Sequence, residues 1–547
     1  MGQVNNRGGP KRIKHRIIGL ELELGTRVIG PSGYYTNAFL REVLSRIIHA
    51  CIIRGALDIE SVRSFTCGRF VLPNQGQCYS ERNNHLEYAS PECRGTREAV
   101  LHEVAGMEMV ADGVRLFRTL KPQYPKVHFY KGNRNCEYFN ASGFLETWGH
   151  HANYLIPRRI GYEVLRRHLV PFLMTRPCII GNGWVEPLAG GWVRFYLSQR
   201  ANLMTKYDGP DTTGIDRAFI NTRDEPHADK DCWRRLHDIS GNSNMSEWQL
   251  FLKYGTFDLM LMLLEENEFL PILPLIRDGR LNSVAERATF FNADIKSKKV
   301  VFLAGGEKWN ALDFQRFYIG EVHRYIDEGR GELTPERRMA LELWEKVIDA
   351  LDRWDLAYLA QILDWAAILY YCITPLLARL GLEVEQLIAP LPSYYRNAGE
   401  KNIPRDIPLE TRRGRAKLID YLLHLLVEYA NVETDKSSYG ILLEQEKVKR
   451  LFKKEEIERA ADNPPPYTRA AWREKIFRWI ETEGVKQNLA LQGCGWEGIT
   501  IRQAEVSLPG SYKIFRTIQN PNPYLFRVRE LEKGRPQDLL REIGSAW

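Results

Sequence analysis

No two of the nine cysteines are spaced as Cys-x-x-Cys. They stand apart at positions 51, 67, 78, 93, 136, 178, 232, 372 and 494, which argues against a zinc site or a disulfide framework and fits a reducing compartment. Long hydrophobic runs are also missing. The most apolar stretch, Trp365 to Ala378, contains Thr374 and Pro375 and is too short to cross a bilayer. Met1 to His15 holds glycine, asparagine and basic residues without the apolar segment of a secretory signal, so a cytoplasmic protein without membrane association is expected. Charge of one sign is scarce: 76 basic against 69 acidic residues leave +7 over 547 residues, which is no nucleic-acid signature. There is no Gly-x-Gly-x-x-Gly after a strand and no Walker A sequence, so any nucleotide must be held another way.

What the chain does have is carboxylates in strand-like settings. Arg16 to Gly25 (RIIGLELELG) reads as a strand with Leu20, Leu22 and Leu24 on one face and Glu21 and Glu23 on the other. The two carboxylates would lie about 7 Å apart along the strand. On a solvated face they are ordinary; in an enclosed cleft they repel unless a cation sits between them. Gln75 to Cys93 reads as two further strand segments joined by a turn at Arg82 to Asn84; Tyr79 and Glu81 share a face, as do His85 and Glu87. If these strands are neighbours, Glu21, Glu23, Glu81 and Glu87 converge. Oxygen ligands at that density favour Mg²⁺ or Mn²⁺, which in turn hold phosphate oxygens. Arg200, Arg223 and His227 are candidates to meet phosphate or a substrate carboxylate, and a carboxylate left off the metal could act as general base.

The periodicity predicts helices over Thr36–Arg54, Arg97–Thr119, Tyr162–Met174, Ser246–Glu266 (with Ser246 as N-cap), much of Ala311–Leu380, Ala416–Tyr429 and Lys447–Ala461. Strand-like segments lie at Val127–Tyr130, Ala152–Ile156 and Phe195–Ser198. Asn463-Pro-Pro-Pro466 is a hard break. Beyond it come a helix at Arg469–Glu481, strands at Trp496–Ile501 and Tyr512–Thr517, and a last helix after Pro523. Strands with helices, then helices, then a mixed tail indicate an α+β fold with an antiparallel sheet. The expected division is a basic, disordered tail over 1–15, a catalytic domain over 16–463 and a small C-terminal α/β domain over 464–547.

Seven motifs carry a resemblance: RIIGLELELG; Tyr79, Glu81, His85, Glu87 and Tyr88; Leu-Ser-Gln-Arg at 197–200; INTRDEPHAD at 220–229; Arg-Arg-Leu-His at 234–237; Ser-Asn-Met-Ser-Glu at 243–247; and Leu-Ala-Gly-Gly at 303–306. Together with Asn463-Pro-Pro-x-x-Thr-Arg-Ala470 they resemble the Pup ligase (PafA) and Pup deamidase/depupylase (Dop) family over about residues 16–505. The resemblance implies a glutamine-synthetase-like curved antiparallel sheet covered by helices, with ATP and magnesium bound over it. It implies metal contact by Glu21, Tyr79 and Glu87, a proton acceptor at Glu81, and ATP contacts at Ser90 and Trp496. In the ligase branch a Pup-like modifier's C-terminal glutamate is phosphorylated and passed to a lysine of a protein substrate; the other branch hydrolyses such bonds or deamidates the modifier.

The ligase pattern has an acid four positions ahead of the histidine, as Glu81 and His85 do; the hydrolase interval of three would land on Arg82. The span from Glu21 to His85 is also too short for the long loop typical of the hydrolase branch. Four departures stand out. Glu81 replaces Asp, Gln77 replaces an ATP-contacting Arg, Asn242 replaces Asp, and Ala152 takes a carboxylate out of His-Glu-Asn-Tyr. A same-family hydrolase and a non-catalytic modifier-binding protein therefore stand as alternatives to a ligase.

Overall fold

The computed structural model describes residues 13–29, 43–48, 50, 64–65, 69–80, 85–124, 126–135, 147–188, 192–211, 216–266, 276–278, 281–330, 333–379, 412–480, 489–504 and 512–519. Its organising element is the 13-residue strand β1 (Ile17–Ile29) at the middle of an eleven-stranded sheet. On one side lie β5 (Leu86–Ala89), β4 (Gln77–Ser80), β3 (Arg69–Val71) and β2 (Ser64–Phe65). On the other lie β8 (His150–Pro157), β13 (Trp233–Asp238), β12 (Arg217–Asn221) and β11 (Met204–Gly209). Strands β6 (Cys93–Arg94) and β7 (Lys126–Tyr130) pair with the two ends of β1. Every pair is antiparallel except β11 with β12. Hairpins β9–β10 (Trp184–Leu188, Trp192–Tyr196) and β14–β15 (Val301–Phe302, Lys308–Trp309) stand apart from this sheet. A three-stranded sheet of β16 (Leu489–Cys494), β17 (Gly498–Ala504) and β18 (Tyr512–Gln519) lies toward the C-terminus.

The expected alternation holds along β1. Leu20, Leu22 and Leu24 are buried, while Glu21 and Glu23 face the other way and are partly accessible. The leucine side forms one core with α1 (Thr96–Leu120) and α2 (Glu247–Glu266). Helix α2 is buried along nearly its whole length and carries apolar residues on every side, as a central helix must. Ser246 accepts the Gln249 N–H at 3.3 Å, the expected N-cap contact. A buried ion network ties the start of β1 to the helices: Arg16 reaches Asp258 (2.7 Å) and Glu265 (2.5 Å) on α2, and Arg337 of α3 (Pro335–Arg353) reaches Asp258 at 2.8 Å.

Several expectations need correction. Arg234 to Asp238 was not expected to be a strand, yet it forms β13, which packs its alternate residues beside β8. The helix expected from Lys447 begins at Lys454, because Glu247 instead accepts the N–H groups of Leu451 and Phe452 at 2.6 and 2.9 Å. Residues 489–494 form an additional strand. In the N-terminal segment, Ile13 is buried and its carbonyl accepts a hydrogen bond from Arg337, so order reaches residue 13; residues 1–12 lie outside the described residues. Most of the helix expected at Thr36–Arg54 and all of the one after Pro523 also lie outside them. No helix among the described residues is long and apolar enough to cross a membrane.

Candidate active site

Antiparallel register decides which side chains meet, since residues opposite each other share a face. Glu23 on β1 stands opposite Glu87 on β5, and Glu87 stands opposite Tyr79 on β4. Tyr79 donates its hydroxyl to Glu87 Oε1 at 2.7 Å. Glu23 Oε2 accepts the Gly149 N–H at 2.7 Å. Two carboxylates directly opposite one another on adjacent strands repel, and a cation between them removes that cost. Glu81 lies outside the described residues, one position past the end of β4.

Two residues along β1 is a second cluster, unexpected from the sequence. Glu21 stands opposite His151 on β8, and Asn153 of β8 stands opposite His237 on β13. One ligand atom each from Glu21, His151 and His237 lies within 4.8 Å of the other two. Asn153 donates to Glu21 Oε1 at 3.0 Å, and its Oδ1 lies 2.6 Å from His237 Nδ1. Arg235 lies 3.5 Å from Glu21 and 3.3 Å from Glu225. Burial pushes the His237 imidazole down to about 3, against the opposing field of Glu21, so at neutral pH the ring is uncharged and has a lone pair to offer. Burial alone would raise the Glu21 carboxyl; the hydrogen bond from His151 and then the fields of His237, His151 and Arg235 hold it well below the usual carboxylate range. An ionised carboxylate and a neutral imidazole are the protonation states a divalent cation requires.

Glu21 also forms part of the floor of a cleft enclosing about 630 Å³ of empty space, some of it open to solvent. Gly19, Ser90, Glu92, Asn153, His227, Arg235, Arg469 and Trp496 line it as well. Ser90 is already engaged: its Oγ accepts the Leu20 N–H (3.0 Å) and donates to the Pro91 carbonyl (2.9 Å), locking β1 to the segment after β5. Trp496 presents an aromatic ring from the turn between β16 and β17. His227 holds a left-handed backbone (φ 47°) on the cleft wall.

Two arginines singled out from the sequence do not line this cleft. Arg223 is about half exposed and pairs with Glu225, because the loop after β12 turns it outward; Arg235 holds the position beside Glu21. Arg200 is buried and donates to the Trp148 carbonyl at 2.5 Å, bracing the segment that leads into Gly149. Ala152 is fully buried on the leucine side of the sheet, between His151 and Asn153 on the other face, so this departure takes no carboxylate out of the cleft. Asn242 is buried and accepts the Ser198 hydroxyl at 2.7 Å. Gln77 is buried on β4 opposite Ala89 and is not among the cleft residues. The signal that could have revealed His237 was present in Arg-Arg-Leu-His: read as a strand, it puts Arg235 and His237 on one face.

Gly149 holds the two clusters together. Its N–H binds Glu23, and a Cβ added to it would lie 2.1 Å from His151 Nε2. Gly149→Ala should therefore displace the His151 ring, which can swing, without disturbing the core. The expected result is a thermal midpoint within a few degrees of the parent and a turnover lower by about 10- to 100-fold, the usual cost of disturbing a ligand's support. Unchanged turnover would remove His151 from the working site.

A cleft over a largely antiparallel sheet covered by helices, with Glu21, Arg235, Arg469 and Trp496 on its lining, marks an α+β enzyme fold. The chain belongs to the Pup-ligase protein family, whose model matches residues 16–387 and 409–499. A Pup deamidase/depupylase of Mycolicibacterium smegmatis is 30% identical over 493 residues, covering 85% of this chain and 88% of that protein. A Pup--protein ligase of Paenarthrobacter aurescens is 28% identical over 472 residues, covering 86% and 90%. The crystal structure of the complex between the prokaryotic ubiquitin-like protein Pup and its ligase PafA superposes with a TM-score of 0.72 at 21% identity, covering 98% of this chain and 97% of that one, so the α+β fold is shared.

Proposed function

We propose that the protein is an ATP- and Mg²⁺-dependent ligase that activates the C-terminal glutamate of a small Pup-like modifier as an acyl phosphate and joins it to a substrate lysine. The observation that carries this reading is the meeting of Glu21, His151 and His237 on the sheet, with Glu21 lining a cleft that also offers Arg235, Arg469 and Trp496. Carboxylate–carboxylate and carboxylate–imidazole sets of this kind fit divalent cations. The all-oxygen group of Tyr79, Glu87 and Glu23 suits Mg²⁺, and two imidazoles beside one carboxylate move the other group toward Mn²⁺. Bound metal would offset the charge of the nucleotide's phosphates. Arg235 and Arg469 bring further positive charge to the cleft wall, and the Trp496 ring offers a face to a base.

Glu81 is assigned as the proton acceptor. A lysine with a pKa of about 10.4 is mostly ammonium at neutral pH and must be deprotonated before it attacks an acyl phosphate. Relatives of both branches match this chain at similar identity, so overall likeness does not separate ligase from hydrolase. The four-residue interval from Glu81 to His85 is what favours the ligase.

The test is ATP turnover with a Pup-like modifier ending in glutamate and a lysine-bearing protein. A ligase consumes ATP only when both are present and yields an isopeptide-linked product. Glu81→Ala should abolish transfer and leave ATP binding within about twofold. Cleavage of a preformed conjugate without net ATP turnover would overturn the reading in favour of the hydrolase.

A further inference from the structure

Part of the cleft lining belongs to a closed ring of contacts. Glu92, which follows β5, is buried and accepts Arg473 through both oxygens at 2.9 and 2.7 Å. Arg469 donates to the same carboxylate at 2.8 Å. Both arginines lie on one helix, α4 (Arg469–Trp479), and each spends a further donor on a backbone carbonyl of the cleft wall. Arg473 donates to the Trp496 carbonyl at 3.0 Å, and Arg469 donates to the His227 carbonyl at 2.7 Å. The ring closes outside, where His227 Nδ1 lies 3.1 Å from Glu497 Oε1, next along the chain from Trp496.

Two buried arginines on one carboxylate would be enough to pin α4 to the sheet. Their further donors do something else. Trp496 and Glu497 form the tip of the β16–β17 hairpin, closed by the Gly495 N–H on the Gly498 carbonyl. A two-residue tip has few contacts of its own, and a ring carried on it wanders unless something outside the hairpin holds it. Arg473 supplies that hold, with its guanidinium 5.6 Å from the centroid of the Trp496 ring and a hydrogen bond to its carbonyl.

We propose that Glu92, Arg469 and Arg473 are positioning residues that fix the Trp496 ring and the His227 loop against the cleft, and so set the affinity of the site for the base of the nucleotide. The inference rests on the reading that the cleft takes ATP. Holding the ring in place beforehand removes the ordering cost at binding, so the effect falls on the part of the ligand that meets the ring and leaves the phosphates untouched.

Arg473→Lys tests it. Lysine keeps the charge beside Glu92, but its single ammonium cannot serve both carboxylate oxygens and the Trp496 carbonyl in the fork geometry of arginine. Calorimetric titration of the full-length protein with ATP and, separately, with inorganic tripolyphosphate should show ATP binding weakened about 10-fold and tripolyphosphate binding changed less than twofold. Quenching of Trp fluorescence by ATP should shrink in parallel. Equal loss for both ligands would reduce the cluster to a general support of the fold, and unchanged ATP binding would remove the role altogether. If Arg473→Lys fails to fold, Glu497→Ala opens the ring at its exposed side and should weaken ATP about threefold with the same selectivity; no change there overturns the proposal. A parent protein that binds ATP no tighter than tripolyphosphate would instead sink the nucleotide reading itself.

Discussion

Replacing His237 with alanine should lower turnover by at least about 100-fold, beyond the range typical for residues that only support a ligand. The ring is buried, uncharged at neutral pH, and shares its reach with Glu21 and His151. Removing it deletes one donor and leaves Asn153 Oδ1 without its 2.6 Å partner. Fold stability should change much less, because the substitution removes no packed aliphatic volume from the leucine side of the sheet. Two readouts separate loss of a ligand from loss of shape. The concentration of Mg²⁺ or Mn²⁺ giving half-maximal activity should rise about 10-fold or more, and Glu21→Gln, which keeps the size of the side chain and removes its charge, should behave alike. A His237→Ala protein with the metal dependence of its parent would mean that the cluster is only a buried hydrogen-bond network.

The largest effect on stability is expected at Asp258, which is not among the residues lining the cleft. Its carboxylate accepts Arg16 Nε at 2.7 Å and Arg337 Nε at 2.8 Å, all three groups being nearly inaccessible. Asp258→Ala leaves the buried Arg16 with Glu265 and takes from the buried Arg337 its carboxylate partner, and breaking a buried network of this kind costs about 3–5 kcal/mol. Arg16 immediately precedes β1, five residues before Glu21, so loosening it also loosens the strand on which the site is built. A urea midpoint corresponding to less than about 1 kcal/mol of destabilisation would show that the network is not what anchors the strand.

The same carboxylate gives the pH dependence a sign. Burial raises the Asp258 carboxyl, but the fields of Arg337 and then Arg16 pull it down to about 2 from 3.8. A depressed folded-state value means that this contribution is complete above about pH 4 and fades as pH falls toward 2. The acid limb of the stability curve should therefore flatten in Asp258→Ala relative to the parent.

Much of this was legible in the chain itself. Alternation along RIIGLELELG set leucines against glutamates, and β1 bears it out because a strand of period two buried on one face has only one workable orientation. That the strand segments holding Tyr79 and Glu87 are neighbours was likewise readable, since they are close in sequence and need only a short connection. The helices over Arg97–Thr119 and Tyr162–Met174 followed from spacing that a 3.6-residue repeat imposes.

Long-range register was not legible. Glu21 meets His151 and His237 only because β8 and β13 add to the same edge of β1 in one particular alignment, and a slip by one residue would turn His151, Asn153 and His237 into the core. Nothing local specifies that alignment; it is selected by which residues the leucine face can bury. Ala152 makes the point from the other side, counted from the sequence as a loss near the site and found on the opposite face. Spacing along the chain thus determined which residues could share a face, because backbone pleating is a local property. Which faces came together, and so which carboxylate gained two imidazoles, was decided by the packing of the whole sheet.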